Sequence, residues 1–176
     1  MIGRRQILFS LEDIDLSKRF VIVANHRGMP DPFIIGYSLP FAYNLRLTPW
    51  RFFVQNRFFN NPFLLPFLLG FGCFPARKEV DKKSGLGYGI DLLKDGQNLV
   101  IFPEGKVSRF DQRILPKTGV EVLAQMQSVL LVPVRVRWNR KRGLIKSYSL
   151  SVGKPFNGKN MTAAQIMDVV YSLKFS

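Results

Sequence analysis

Residues 19–33 read RFVIVANHRGMPDPF, and the fold turns on how this stretch divides. Phe20 to Ala24 form an unbroken apolar run, as expected of a strand lying inside a largely buried sheet. Asn25 and His26 close that strand, Gly28 and Pro30 supply a turn, and a helix-like stretch runs from Asp31 to about Tyr43. The alternation recurs along the chain. RQILFS (5–10), RFFVQN (51–56), NLVIFPEG (98–105), VLLVPVRV (129–136) and YSLSVGK (148–154) read as strands, with helix-like stretches over 83–94 and 118–127. Strands alternating with helices predict an α/β domain whose sheet is mixed, mostly parallel and flanked by helices. Thr162 is an expected N-cap for a closing helix with Ile166, Val169, Val170 and Leu173 at helical spacing.

The length of 176 residues fits one domain over 1–176. Its motif-bearing region covers 20–137, and a closing strand and helix occupy 147–176. Lys and Arg number 26 against 12 acidic residues, a formal charge of +14, so the expected partner is anionic: nucleic acid, a phosphorylated small molecule or an acidic membrane surface. Cys73 is the sole cysteine, which excludes an intramolecular disulfide. Arg4 and Arg5 are followed by no long apolar run, so the start of the chain does not read as a signal peptide. No stretch offers the roughly 18 uninterrupted apolar residues of a membrane span, so a soluble or peripheral protein is expected.

Residues 58–74, FFNNPFLLPFLLGFGCF, are the most apolar part, interrupted by Asn60, Asn61, Pro62 and Pro66. Two readings stay open, a buried helix or a surface that enters a membrane interface. On the second reading Phe58, Phe63, Leu64, Phe67 and Leu68 are the expected contacts.

Three clusters carry chemistry. In NHRGMPD the turn can bring Asp31 back beside the His26 imidazole, where a carboxylate on one ring nitrogen leaves the other to take a proton. A histidine before a turn is also an ordinary capping or core residue, so this motif alone is weak. In NLVIFPEGKVSR a strand end gathers Glu104, Gly105, Lys106, Ser108 and Arg109, at the kind of position where α/β folds bind ligands. In GCFPARK, Arg77 follows a strand-like piece and suits a phosphate dianion, although an exposed solubilising arginine is the default on so basic a chain.

In this order the pieces resemble the glycerolipid acyltransferase family. NHRGMPD resembles its His-x4-Asp block, GCFPAR its Gly-to-Arg block, FPEGKVSR its Phe-Pro-Glu-Gly block and VPVRV its Val-Pro-Val block, while KTGVEVLA and VGKPF match flanking text. The resemblance implies a glycerol-3-phosphate acyltransferase-like α/β fold and a transferase of phospholipid biosynthesis. Such an enzyme moves a fatty acyl group from an acyl-CoA or acyl-carrier protein thioester to the hydroxyl of a lysophospholipid, here 1-acylglycerol-3-phosphate. It implies His26 as general base oriented by Asp31. Asn25, Arg77, Glu104, Gly105, Lys106, Ser108 and Arg109 are then the acceptor-binding set, and Val132, Pro133 and Val134 border the acyl-donor groove. Backbone N–H groups near Gly28 or Gly105 are candidate oxyanion donors. No metal and no cofactor is implied, and the expected place is the cytoplasmic face of an anionic membrane, held peripherally or monotopically.

The chain departs from the family pattern at Val107, where the family commonly has arginine, so Lys106 or Arg109 is left to supply that charge with different geometry. Acylation of another lysolipid or of glycerol-3-phosphate therefore stays open as an alternative. A rival class, a basic nucleic-acid-binding module, fits the charge and the aromatics of RWNRKRGLIK and WRFFVQNR but leaves the four ordered blocks unexplained. A catalytically silent lipid binder is the third reading, against which stands the presence of His26, Asp31 and Glu104 together.

Overall fold

The computed structural model describes residues 2–8, 15, 17–39, 50–76, 85–108, 112–141 and 144–175. In chain order the elements are β1 (Ile2–Ile7), β2 (Arg19–Ala24), α1 (Asp31–Ser38), β3 (Trp50–Val54), α2 (Leu65–Gly70), β4 (Cys73–Pro75), α3 (Gly85–Lys94), β5 (Asn98–Ile101), α4 (Gly119–Ala124), β6 (Val129–Lys141), β7 (Leu144–Val152) and α5 (Ala163–Ser172), with a 3₁₀ turn at Asn56–Phe58. Seven strands form one sheet in the order β1-β7-β6-β2-β5-β3-β4. Every neighbouring pair is parallel except the β6–β7 hairpin. The chain is thus an α/β fold with a mixed, mostly parallel sheet flanked by helices.

Strand β2 shows why the sheet has two covered faces. Val21 and Val23 pack with Leu99, Ile101 and Leu131 under α3, α4 and α5, while Phe20, Ile22 and Ala24 pack with Val100, Val132 and Val134 under α1. The five side chains from Phe20 to Ala24 are at most 1% exposed, which explains an apolar run with no alternation. Helix α1 buries Asp31, Ile34, Ile35 and Ser38, a one-face i, i+3, i+4, i+7 pattern. Pro32 sits in its first turn, where no N–H is needed. Helix α5 is opened by a capping box: the Gln165 N–H donates to Thr162 Oγ1 and the Thr162 N–H to Gln165 Oε1. Its inward face carries Ile166, Met167, Val170 and Tyr171.

Several bounds differ from the sequence expectation, and the first helix ends at Ser38, where Leu39 turns extended, instead of running to about Tyr43. The first strand lies at Ile2–Ile7 instead of 5–10, because its parallel register on β7 begins at Ile2 against Ser147 and ends at Ile7 against Val152. The 58–74 segment is not a buried helix: α2 has only six residues and buries none of them. Positions 9–10 of the first expected strand, 40–43 of the first expected helix and 83–84 of the second lie outside the described residues.

Candidate active site

Because β2, β3, β4, β5 and β6 run parallel, their carboxyl ends share one edge of the sheet, where ligands of such folds bind. His26 leaves β2 there, and Glu104 leaves β5 beside it.

Asn25 determines where the chain leaves the sheet. Its Nδ2 donates to the Val136 carbonyl (2.9 Å) and its Oδ1 accepts the Val136 N–H (2.7 Å), so the side-chain amide extends the β2–β6 ladder one step past Ala24. Asn25 is fully buried with both amide atoms on this backbone, so it shapes the site from behind instead of facing an acceptor. The backbone of His26 is then held from both sides. Its N–H donates to Glu104 Oε2 (3.3 Å), and its carbonyl accepts the Ser108 N–H (2.8 Å).

The turn folds Asp31 back onto the ring, with His26 Nδ1 and Asp31 Oδ2 2.8 Å apart. The same oxygen accepts the N–H groups of Arg27 (2.6 Å) and Gly28 (2.8 Å), and Oδ1 accepts Trp138 Nε1–H (2.8 Å). Asp31 is wholly buried, and these donors are what make a buried carboxylate tolerable. The indole also packs tightly over Gly28, where a Cβ would lie 3.2 Å from Trp138 Nε1. The imidazole stacks on Phe102 with centroids 4.4 Å apart, and its side chain keeps 16% exposure. With Nδ1 committed to Asp31, Nε2 is the ring nitrogen left for proton exchange.

Glu104 is also buried, with Oε1 accepting the Tyr171 hydroxyl. Burial pushes its carboxyl above the ordinary range, opposed by the Tyr171 hydrogen bond, the Arg27 guanidinium and His26. Gly105 holds φ 63°, in the left-handed region, and Lys117 lies so close over it that a Cβ would be 2.7 Å from Nζ. Gln55, just past β3, donates from Nε2 to the Gly105 carbonyl (2.9 Å).

Among the other residues picked out by sequence, Lys106 is exposed, whereas Ser108 is buried and its hydroxyl donates to the Gln112 carbonyl. Arg77 and Arg109 lie outside the described residues. One expectation needs correction. Val132, Pro133 and Val134 are buried in β6 against Ile22, Val23 and Ala24 of β2, so their side chains offer no surface to an acyl-donor groove. Of the backbone N–H groups near Gly28 and Gly105, those of the two glycines themselves are engaged, the Gly28 N–H with Asp31 and the Gly105 N–H with the Phe102 carbonyl. Of the expected membrane contacts, Phe63, Leu64 and Phe67 are exposed at 86%, 40% and 65%, while Phe58 and Leu68 are half-buried. Trp138, Tyr171, Phe102, Arg27, Gln55 and Lys117 were not anticipated. Arg27, inside NHRGMPD, Phe102, inside FPEG, and Lys117, which opens KTGVEVLA, had a local signal.

Comparison with known proteins fits this geometry. A family model described as "Acyltransferase" matches residues 7–137. The chain is 28% identical over 127 residues to the 1-acyl-sn-glycerol-3-phosphate acyltransferase of Bacillus subtilis (strain 168), covering 72% of this chain and 59% of that protein. It is 27% identical over 118 residues to the enzyme of the same name from Streptococcus pneumoniae (strain ATCC BAA-255 / R6), covering 66% and 41% respectively. The matched region thus spans roughly half the length of these two relatives. The crystal structure of PlsC, the 1-acyl-sn-glycerophosphate (LPA) acyltransferase from Thermotoga maritima, superposes with a TM-score of 0.65 over 96% of this chain and 68% of that one; at 20% identity this likeness speaks to the fold. A family match running from β1 into β6, through both carboxylate-bearing loops, means that this chain belongs to the acyltransferase family.

Proposed function

We propose that this chain acylates the free hydroxyl of 1-acylglycerol-3-phosphate with a fatty acyl group from a CoA or acyl-carrier protein thioester, giving phosphatidic acid. The observation that carries this reading is the His26 ring, fixed through Nδ1 by a saturated, buried Asp31 at the carboxyl edge of a parallel sheet. The names of the two relatives support the acceptor.

Nε2 takes the proton of the acceptor hydroxyl as its oxygen attacks the thioester carbonyl. The C–O bond forms, the tetrahedral intermediate collapses, the C–S bond breaks, and the departing sulfur takes the proton back from the imidazolium. Asp31 holds the tautomer and balances the transient positive charge. A general base so placed contributes about 10² to 10⁴ in rate. A thioester is already activated, so no step runs through a metal or cofactor. Lys106 and Lys117, which flank Gly105, and Arg77 and Arg109 are the cations assigned to the acceptor phosphate, in place of the arginine that Val107 replaces.

Access to the lipid comes from the apolar face beside this edge. Phe63, Leu64, Phe67, Leu69 and Phe71 are exposed, and Phe71 meets Phe33 of α1 edge-on at 4.8 Å, which joins them to Met29, Phe33 and Tyr37 on the outer side of the His26–Asp31 turn. Among the described residues no helix is long and apolar enough to cross a membrane. The face inserts shallowly into the cytoplasmic leaflet, and basic residues such as Arg57 meet anionic headgroups at about 1 kcal/mol each.

The test is product analysis: lysophosphatidic acid in mixed micelles is offered palmitoyl-CoA or palmitoyl-acyl-carrier protein, and phosphatidic acid is measured by mass spectrometry. Product with either donor is expected. Product from neither, with another lysolipid or glycerol-3-phosphate acylated instead, contradicts the acceptor.

A further inference from the structure

Glu104 is engaged from a part of the chain beyond the family match, which ends at residue 137. The phenol of Tyr171, on the inward face of α5, donates to Oε1 of Glu104, while Oε2 of the same carboxylate accepts the backbone N–H of His26. Tyr171 is itself held firmly. Its ring lies under the guanidinium groups of Arg113 (4.8 Å), Arg27 (5.8 Å) and Arg135 (6.0 Å), and Arg135 Nη1 also donates to the carbonyls of Tyr171 (2.9 Å) and Leu173 (2.7 Å). The helix beneath is fixed by its capping box and by buried Ile166, Met167 and Val170.

A core tyrosine needs some partner for its hydroxyl, and most such bonds are only structural. Here the partner is the carboxylate that tethers the backbone of the proposed base. Burial disfavours the charged form of Glu104, and the groups facing it that favour that form are the Tyr171 hydroxyl, the Arg27 guanidinium and His26. Tyr171's own acidity is suppressed by burial and by Glu104, so it stays a donor throughout the working pH range.

We propose that Tyr171 is a positioning residue of the active site, whose hydroxyl keeps Glu104 the acceptor that fixes the His26 backbone. Removing that hydroxyl leaves Oε1 buried with one donor fewer. Glu104 then holds its proton to higher pH, and a protonated carboxyl is a poorer acceptor for the His26 N–H.

His26 is the only histidine, so ¹⁵N-histidine labelling gives a single backbone amide to follow through a pH titration. Tyr171→Phe keeps the ring and its packing. In this variant the amide resonance is expected to shift, and the titration midpoint that it reports for Glu104 to move upward; Glu104→Gln abolishes that titration. The kinetic arm rests on the acyl-transfer reading: kcat falls about tenfold, with KM for both substrates held within about twofold, as for a misplaced base with intact binding sites. An amide whose shift and titration match the parent's in Tyr171→Phe overturns the inference, whether or not the parent transfers acyl groups. A shifted amide in a parent that transfers none retires the acyl-transfer reading and leaves the Tyr171–Glu104–His26 link standing.

Discussion

The loops after β2 and β5 and the segment between β3 and β4 are neighbours, with Gln55 on Gly105 and Phe71 on Phe33 of α1, yet they distribute polar and apolar atoms in opposite ways. The first pair buries its polar groups, with Asn25 and Asp31 at 0% exposure and Glu104 at 2%; the second exposes its aromatics, with Phe63 at 86% and Phe67 at 65%. Both departures cost free energy in water. Buried carboxylates must be hydrogen-bonded, and exposed apolar surface forgoes about 25 cal/mol per Å². The first cost is offset inside the molecule, by four donors on Asp31. The second is offset by nothing among the described residues, which is the reason to assign that face to a lipid surface.

The largest effect expected from breaking this contrast is at Asp31. Asp31→Ala strands four donors and frees the His26 ring, so transfer should fall by about 10² to 10⁴ in initial-rate assays. Stability should fall by on the order of 3 kcal/mol in urea unfolding. An active, equally stable variant would show that the buried network is dispensable. Next in size, replacing Phe63, Leu64 and Phe67 together by Ser should weaken co-sedimentation with anionic vesicles by on the order of 10- to 100-fold, about 1.4–2.8 kcal/mol in all, because shallow insertion removes only part of each side chain's area from water. The melting temperature should hardly move. Unchanged vesicle binding removes the lipid face from the account.

A smaller effect is expected from Glu104. Its raised native pKa means that the folded state holds this proton more tightly than the unfolded chain does. The resulting stabilisation is present below the unfolded value of about 4 and is lost as pH rises through the higher native value. Glu104→Gln has no charge to bury and should therefore gain in melting temperature relative to the parent as pH is raised from about 4 to 8. A difference constant with pH contradicts the sign. Smallest is Cys73, whose thiol burial pushes up to about 11; less than about one per cent is thiolate at pH 8, so alkylation in the folded protein should be slow.

Much of the frame was legible because it is local. A strand buried on both faces writes itself as the run Phe20–Ala24, and the turn returning Asp31 to His26 spans five residues. What escaped reading is long-range. Trp138 reaches Asp31 across 107 positions and Tyr171 reaches Glu104 across 67, and neither leaves a pattern near the residue it serves. Asn25 sits in the motif, but its pairing with Val136 depends on β6 lying next to β2, a fact of sheet order. Val132 to Val134 were misassigned for the same reason, because an apolar strand motif does not say whether its side chains meet ligand or core. The 58–74 run stayed ambiguous because hydrophobicity reports affinity for an apolar phase without saying which phase is supplied.

The central claim, that His26 is the base of an acyl transfer, is tested most directly by thiol release from palmitoyl-CoA with and without lysophosphatidic acid in mixed micelles, comparing the parent with His26→Ala at matched folding. Release that depends on the acceptor in the parent and vanishes in the variant is the predicted result. Equal acceptor-dependent release from both proteins would contradict it.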